Sequence, residues 1–141
     1  MRQSAVSFNV KDLSFEGVVA QPDEHNGSMP AVVICHPHPL YGGNMDNNVV
    51  LMLSFALAQE GFVTLRFNFR GVGNSEGEHT KGEKESQEIL GALDLITAWP
   101  DFRGKIGLAG YSFGSGVILN HPELYKEVNA LALVSPSLRA V

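Results

Sequence analysis

The chain has 141 residues, 44% of them hydrophobic and 18% charged, with a formal net charge of −5. That length and balance suit one globular domain around one core and exclude a disordered chain. An acidic surface without a Lys/Arg cluster excludes a nucleic-acid partner, and a single cysteine, Cys35, excludes an internal disulfide, so a reducing cytoplasm is the expected compartment.

The N-terminus, MRQSAVSFNVKDLSFEG, lacks the apolar run of a signal peptide. No later stretch approaches the roughly 20 apolar residues of a membrane helix, so no membrane partner is expected. AVSFNV (5–10) and FEGVVAQ (15–21) alternate and predict a hairpin, with Gly17 as an irregularity. After the polar loop 21–30, AVVICH (31–36) is a continuous apolar run, the pattern of a strand buried on both faces of a parallel sheet. The loop PHPLYGG leads to a helix of about a dozen residues, capped by Asp46, Asn47 or Asn48 and ended by Gly61. FVTLRFNF (62–69) is the next strand, followed by the polar turn RGVGNSEGEHTKG. A second helix is predicted from about Glu83 to Trp99, with Ile89, Ala92, Leu93, Ile96 and Trp99 on one face. KIGLAG (105–110) is a short strand, 112–120 reads as helix, HPELYKEV as a surface segment and ALALVS (130–135) as another buried strand. Alternation of strand and helix with right-handed crossovers gives an α/β fold: a three-layer α/β/α sandwich with a mostly parallel sheet and an antiparallel hairpin at the N-terminus.

Two serines sit in the pattern G-x-S-x-G: Ser112 in GYSFG and Ser75 in GNSEG. In a chain this rich in glycine such a match arises by chance on the order of one time in ten, so context decides. A nucleophile elbow needs a strand, a cramped turn and an immediate helix. Ser112 has all three, between Gly110 and Gly114, and the helix start offers the Phe113 N–H and a positive dipole end to a developing oxyanion. Ser75 leaves a strand but enters the polar, glycine-broken GEHTKGEKES; it reads as a turn residue whose hydroxyl bonds local backbone.

GYSFG after a buried strand and CHPHPLYGG after an earlier one, with FRGVGNSEG between them, resemble the α/β-hydrolase superfamily. The resemblance is closest to the small lidless hydrolases related to dienelactone hydrolases and to Xaa-Pro dipeptidyl-peptidase-like domains, and it covers about residues 5–135. It implies a serine hydrolase acting on small esters or related acyl compounds, with Ser112 as the catalytic nucleophile. The second oxyanion donor comes from the loop after the earlier strand, where Pro37 and Pro39 have no N–H. His38, Leu40, Tyr41, Gly42 and Gly43 remain, and family loops of the H-G-F-P-L type point to His38, with Leu40 next. No metal or organic cofactor is implied, because His36-x-His38 lacks further ligands at metal spacing.

The family places a triad acid and then a histidine after the serine. Here His121 follows Ser112 by nine residues, roughly 13 Å along a helix, beyond the reach a base requires. ALALV, apolar throughout, would also form an unprotected sheet edge as a last strand. Both features give the expectation of a single domain, 1–141, that is the N-terminal portion of a longer one, with a homodimer through the exposed edge as the other way to cover it. The competing expectation is a non-catalytic binding module on the same scaffold. Among the remaining residues, Tyr111 and Phe113 flank the serine as pocket or packing residues, and Arg70 reads as an anion ligand or a turn residue bonding backbone carbonyls. The acidic run Glu83, Glu85 and Glu88 reads as a solvated helix face.

Overall fold

The structure, a computed structural model, describes residues 1–137. Its strands are β1 (Arg2–Val10), β2 (Leu13–Gln21), β3 (Met29–Cys35), β4 (Val63–Phe67), β5 (Phe102–Tyr111) and β6 (Ala130–Val134). They form one mixed sheet in the order β1-β2-β4-β3-β5-β6. The hairpin β1–β2 and the pair β2–β4 are antiparallel, and the other pairs are parallel. Three α-helices connect the parallel strands: α1 (Asn48–Gln59), α2 (Ser86–Thr97) and α3 (Phe113–Leu119). No helix among the described residues is long and apolar enough to cross a membrane.

The apolar pattern of β3 follows from its cover on both faces. Val33 and Cys35 enter the main core with Leu65, Phe67 and Leu108, under Ile89, Ala92 and Ile96 of α2 and Val117 and Ile118 of α3. Val32 and Ile34 point the other way, toward Val50, Leu53 and Leu57 of α1. Among the three capping candidates Asn47 is the one used: its side chain accepts the N–H groups of Val49 and Val50. Gly61, at φ 94°, then lets the chain leave α1.

Several expectations need correction. Gly17 is no irregularity, because β1 and β2 pair without a break from Arg2↔Gln21 to Val10↔Leu13. A Cβ on Gly17 would lie 2.8 Å from Arg66 O, so the glycine serves the close approach of β2 to β4. Helix α2 begins at Ser86 because the Glu85 carboxylate accepts the N–H groups of Thr80 and Gly82 and the Thr80 hydroxyl, fixing the preceding residues in a turn. Glu85 and Glu88 are not a solvated face; both are fully buried. Glu88 accepts the N–H of Arg70 at 2.9 Å and pairs with its guanidinium at 2.7 Å, and the side-chain bond to Glu88 holds the guanidinium above its ordinary pKa against burial. The guanidinium also donates to Lys84 O, so Arg70 is a buried strut. Strand β6, expected to be buried, is largely exposed, with Leu131 at 40%, because no described strand pairs with its outer edge.

Glu88→Ala leaves the Arg70 charge buried without its partner, so urea unfolding should show a loss of about 3–5 kcal/mol. A loss below about 1 kcal/mol would mean that the pair is not the strut described.

Candidate active site

The parallel strands end on one side of the sheet, where the loops after β3, β4 and β5 converge. The chain turns one way from β3 to β4 and the other way to β5, the switch point at which open α/β sheets place their ligand sites.

Ser112 stands at these strand ends between β5 and α3, half-buried, with φ 54° and ψ −110°. A residue with a Cβ rarely occupies this region, and holding it there costs on the order of 1–3 kcal/mol. The two glycines make the turn possible. A Cβ on Gly110 would meet Ser115 N at 2.6 Å, and one on Gly114 would meet Cys35 O at 2.5 Å. The Ser112 N–H donates to Val134 O at 2.9 Å, Ser112 O accepts the Gly116 N–H at 2.9 Å, and the Ser115 hydroxyl donates to Val134 O at 3.1 Å. The Ser112 hydroxyl makes no capping bond to its own helix. The Phe113 ring is buried against Phe69, 5.5 Å between centroids, and its N–H opens α3, where a helix leaves donors unpaired.

The loop after β3 is held by its own histidines. His36 donates from Nδ1 to Pro37 O at 2.7 Å and accepts the Phe69 N–H at Nε2 at 3.0 Å, so it ties the ends of β3 and β4 together. Burial lowers its pKa to about 4, against a weaker upward effect of the Pro37 carbonyl, and the ring is neutral. His38 accepts the Leu40 N–H at Nδ1 at 3.1 Å, and its carbonyl accepts the N–H groups of Tyr41 at 3.1 Å and Gly43 at 2.9 Å. Of the donors left open by the two prolines, Leu40, Tyr41 and Gly43 are thus engaged within the loop, while His38 N–H is not part of these bonds. A Cβ on Gly43 would lie 2.1 Å from Pro37 O, which explains glycine where the loop closes. Burial, and then the adjacent His79, lower the His38 imidazole below its ordinary value. With both nitrogens of His36 bonded to main chain, His36-x-His38 presents no open ligand pair.

The competing motif residues have other tasks. Ser75 is buried, donates to Asn68 O at 2.7 Å and accepts the Glu16 N–H at 3.1 Å. His121 sits past α3 with Nδ1 2.8 Å from Val117 O. Cys35 is fully buried beside Gly114, and burial pushes its thiol pKa up, so it packs and does not react. Sequence reasoning missed His79 and placed Glu85 on a solvated face. The only signal was Thr80 five residues before Glu85, ahead of a helix. A cavity of about 600 Å³ lies elsewhere, along the N-terminal ends of β3 and β5. It is lined by Pro30, Val32, Phe62, Ile106 and Ala130, with no candidate nucleophile, and is not the site.

A mixed sheet, flanking helices and a serine strained between strand and helix define an α/β hydrolase. Residues 15–138 match the X-Pro dipeptidyl-peptidase (S15) family, and the chain belongs to that family. An uncharacterized protein of Rickettsia prowazekii (strain Madrid E) is 33% identical over 137 residues, covering 96% of this chain and 56% of that protein. An α/β serine hydrolase without a lid from Xanthomonas campestris superimposes with a TM-score of 0.83 at 29% identity, over 96% of this chain and 62% of that one. An α/β serine hydrolase homologue from Coxiella burnetii gives 0.83 at 33% identity, over 96% and 64%. The chain therefore spans just under two thirds of the length of these structures and 56% of the curated relative.

Between pH 6.5 and about 4 the unfolded chain takes up a proton that folded His36 refuses. Stability should therefore be complete above pH 6.5 and fall as pH drops through that window, by about 3 kcal/mol in all. Urea unfolding at a series of pH values should show this slope in the wild type and a flatter one in His36→Gln. Equal slopes would remove His36 as the cause.

Proposed function

We propose that the protein is a serine hydrolase of small esters or related acyl compounds, acting through an acyl-enzyme on Ser112. The observation that carries this reading is the backbone of Ser112 at φ 54°, ψ −110° between β5 and α3. In an ordinary turn a serine relaxes; here the strain holds its hydroxyl clear of its own helix. The Ser112 oxygen attacks the carbonyl carbon and loses its proton to a base, and the carbonyl electrons move onto oxygen. The N–H groups of Phe113 and His38 hold that oxyanion. As it collapses, the alcohol leaves with a proton, and water then attacks the acyl-enzyme and frees Ser112. No histidine is hydrogen-bonded to Ser112 among the described residues, so in this reading the base and its orienting carboxylate lie outside them.

A fluorophosphonate probe tests this on the full-length protein. Labelling should map to Ser112, vanish in Ser112→Ala and persist in Ser75→Ala, which instead loses about 1–3 kcal/mol of stability with its two buried bonds. An unlabelled full-length protein would favour a binding module on this scaffold. The other cover for the edge of β6, in place of further strands of the same domain, is a second copy of the chain. Analytical ultracentrifugation should then show a dimer that Leu131→Lys converts to monomer. A wild-type chain that stays monomeric rules the pairing out.

A further inference from the structure

The two residues proposed as oxyanion donors both pack against the ring of His79. The His79 ring lies 5.2 Å from the ring of His38 and 5.4 Å from that of Phe113, and those two rings are 5.0 Å apart. Three loops or elements thus meet in a triangle of rings: the loop after β3, the start of α3 and the segment between β4 and α2. His79 is largely buried, and neither of its nitrogens has a hydrogen-bond partner among the described residues. A ring placed there only to fill space would cost less as Phe, because buried nitrogens without partners lose their hydration.

What a histidine adds is a contact with Glu85. Its Nδ1 lies 3.5 Å from Glu85 Oε2, and that carboxylate is fully buried and fixed by Thr80 and Gly82 at the start of α2. Burial alone would raise the Glu85 carboxyl, yet these bonds together with His79 hold it below its ordinary value, so it is an anion facing the ring. The other side of His38 is already fixed by the Leu40 N–H on its Nδ1. Its ring also packs on Tyr41, 4.8 Å between centroids, and His79 is the neighbour that links it to Phe113 and Glu85.

We propose that the Glu85–His79 pair positions the oxyanion hole, the His79 ring fixing the main chains of His38 and Phe113 by packing on both their side chains. This rests on the reading of Ser112, His38 and Phe113 given above. His79 touches no reacting atom in it and is a positioning residue. The leverage is large because oxyanion donors act over a few tenths of an ångström, and a displacement near 1 Å costs about a hundredfold in rate.

The test is the rate of Ser112 phosphonylation by a fluorophosphonate in the full-length protein, with the inactivation rate constant and the probe's apparent affinity resolved separately. Amide ¹⁵N–¹H signals of residues 38 and 113 are followed alongside. His79→Ala should lower the rate constant about tenfold or more with affinity nearly unchanged, and shift both signals. His79→Phe refills the triangle without the tie to Glu85. It should keep the thermal midpoint and still lose several-fold in rate; Glu85→Gln should lose rate likewise, with a lower midpoint because its amide nitrogen cannot accept the bonds the carboxylate does. If His79→Ala does not fold, these two variants decide. Wild-type rate and unmoved amide signals in His79→Phe and Glu85→Gln would overturn the positioning role and leave the nucleophile standing. An unlabelled wild type would overturn the nucleophile reading and the positioning role with it.

Discussion

Where α3 crosses the end of β3, the Gly114 backbone lies so close to Cys35 that a Cβ would sit 2.5 Å from the Cys35 carbonyl oxygen. That approach lets the helix begin immediately after the strand, and it leaves Ser112 no relaxed conformation. The strain, on the order of 1–3 kcal/mol, is small beside what the same packing supplies. Phe113, Val117 and Ile118 are each essentially fully buried by α3, and each such side chain stabilises by roughly 1.5–3 kcal/mol. Packing of the helix therefore wins over relaxation of the turn. Gly110 acts in the same way two residues before the serine, since any side chain there would strike the Ser115 N–H.

The loops around this junction are kept in place by a second device. They have no regular structure to receive their N–H groups, and a buried N–H without an acceptor is costly. Side chains supply the acceptors: His36 for Phe69, Glu88 for Arg70, Asn68 for Met45 and Glu16 for Asn74. Each acceptor comes from a different region of the chain than the group it serves, so each bond also links two elements. Buried polar residues that look like candidates for chemistry in a one-dimensional reading, Arg70 and Ser75 among them, are consumed by this scaffolding.

The legible features of the fold were those that local periodicity and punctuation encode. AVVIC is apolar at every position because helices lie on both faces, and Asn47 and Gly61 bracket α1 as cap and terminator. The strand, turn and helix around Ser112 were legible for the same reason. Partners distant in sequence were not. Nothing local marks Glu88 as the mate of Arg70 eighteen residues earlier, and an acidic run at a helix start looks solvated until the strand beneath it is placed. Likewise Ser14 and Glu16 meet the turn at 75–76 only because β2 pairs with β4. His79 carried no periodic signal at all; its position follows from the route of an irregular loop.

The two faces of the sheet contribute unequally to the site. Phe113, Val117 and Ile118 all belong to the core under α2 and α3, together with Cys35 and Phe69, so the elbow and the loop after β4 are anchored on that face. The opposite face is thinly covered beyond α1, with an apolar cleft along β3, β5 and β6. That cleft begins at the N-terminal ends of the strands, whereas Ser112, His38 and His79 gather at the C-terminal ends. β6 ties this face to the junction, because its Val134 carbonyl accepts both the Ser112 N–H and the Ser115 hydroxyl. A strand with no buried residue is thus the one that receives the Ser112 N–H, so the elbow is bonded to an edge of the described sheet as well as packed on its core.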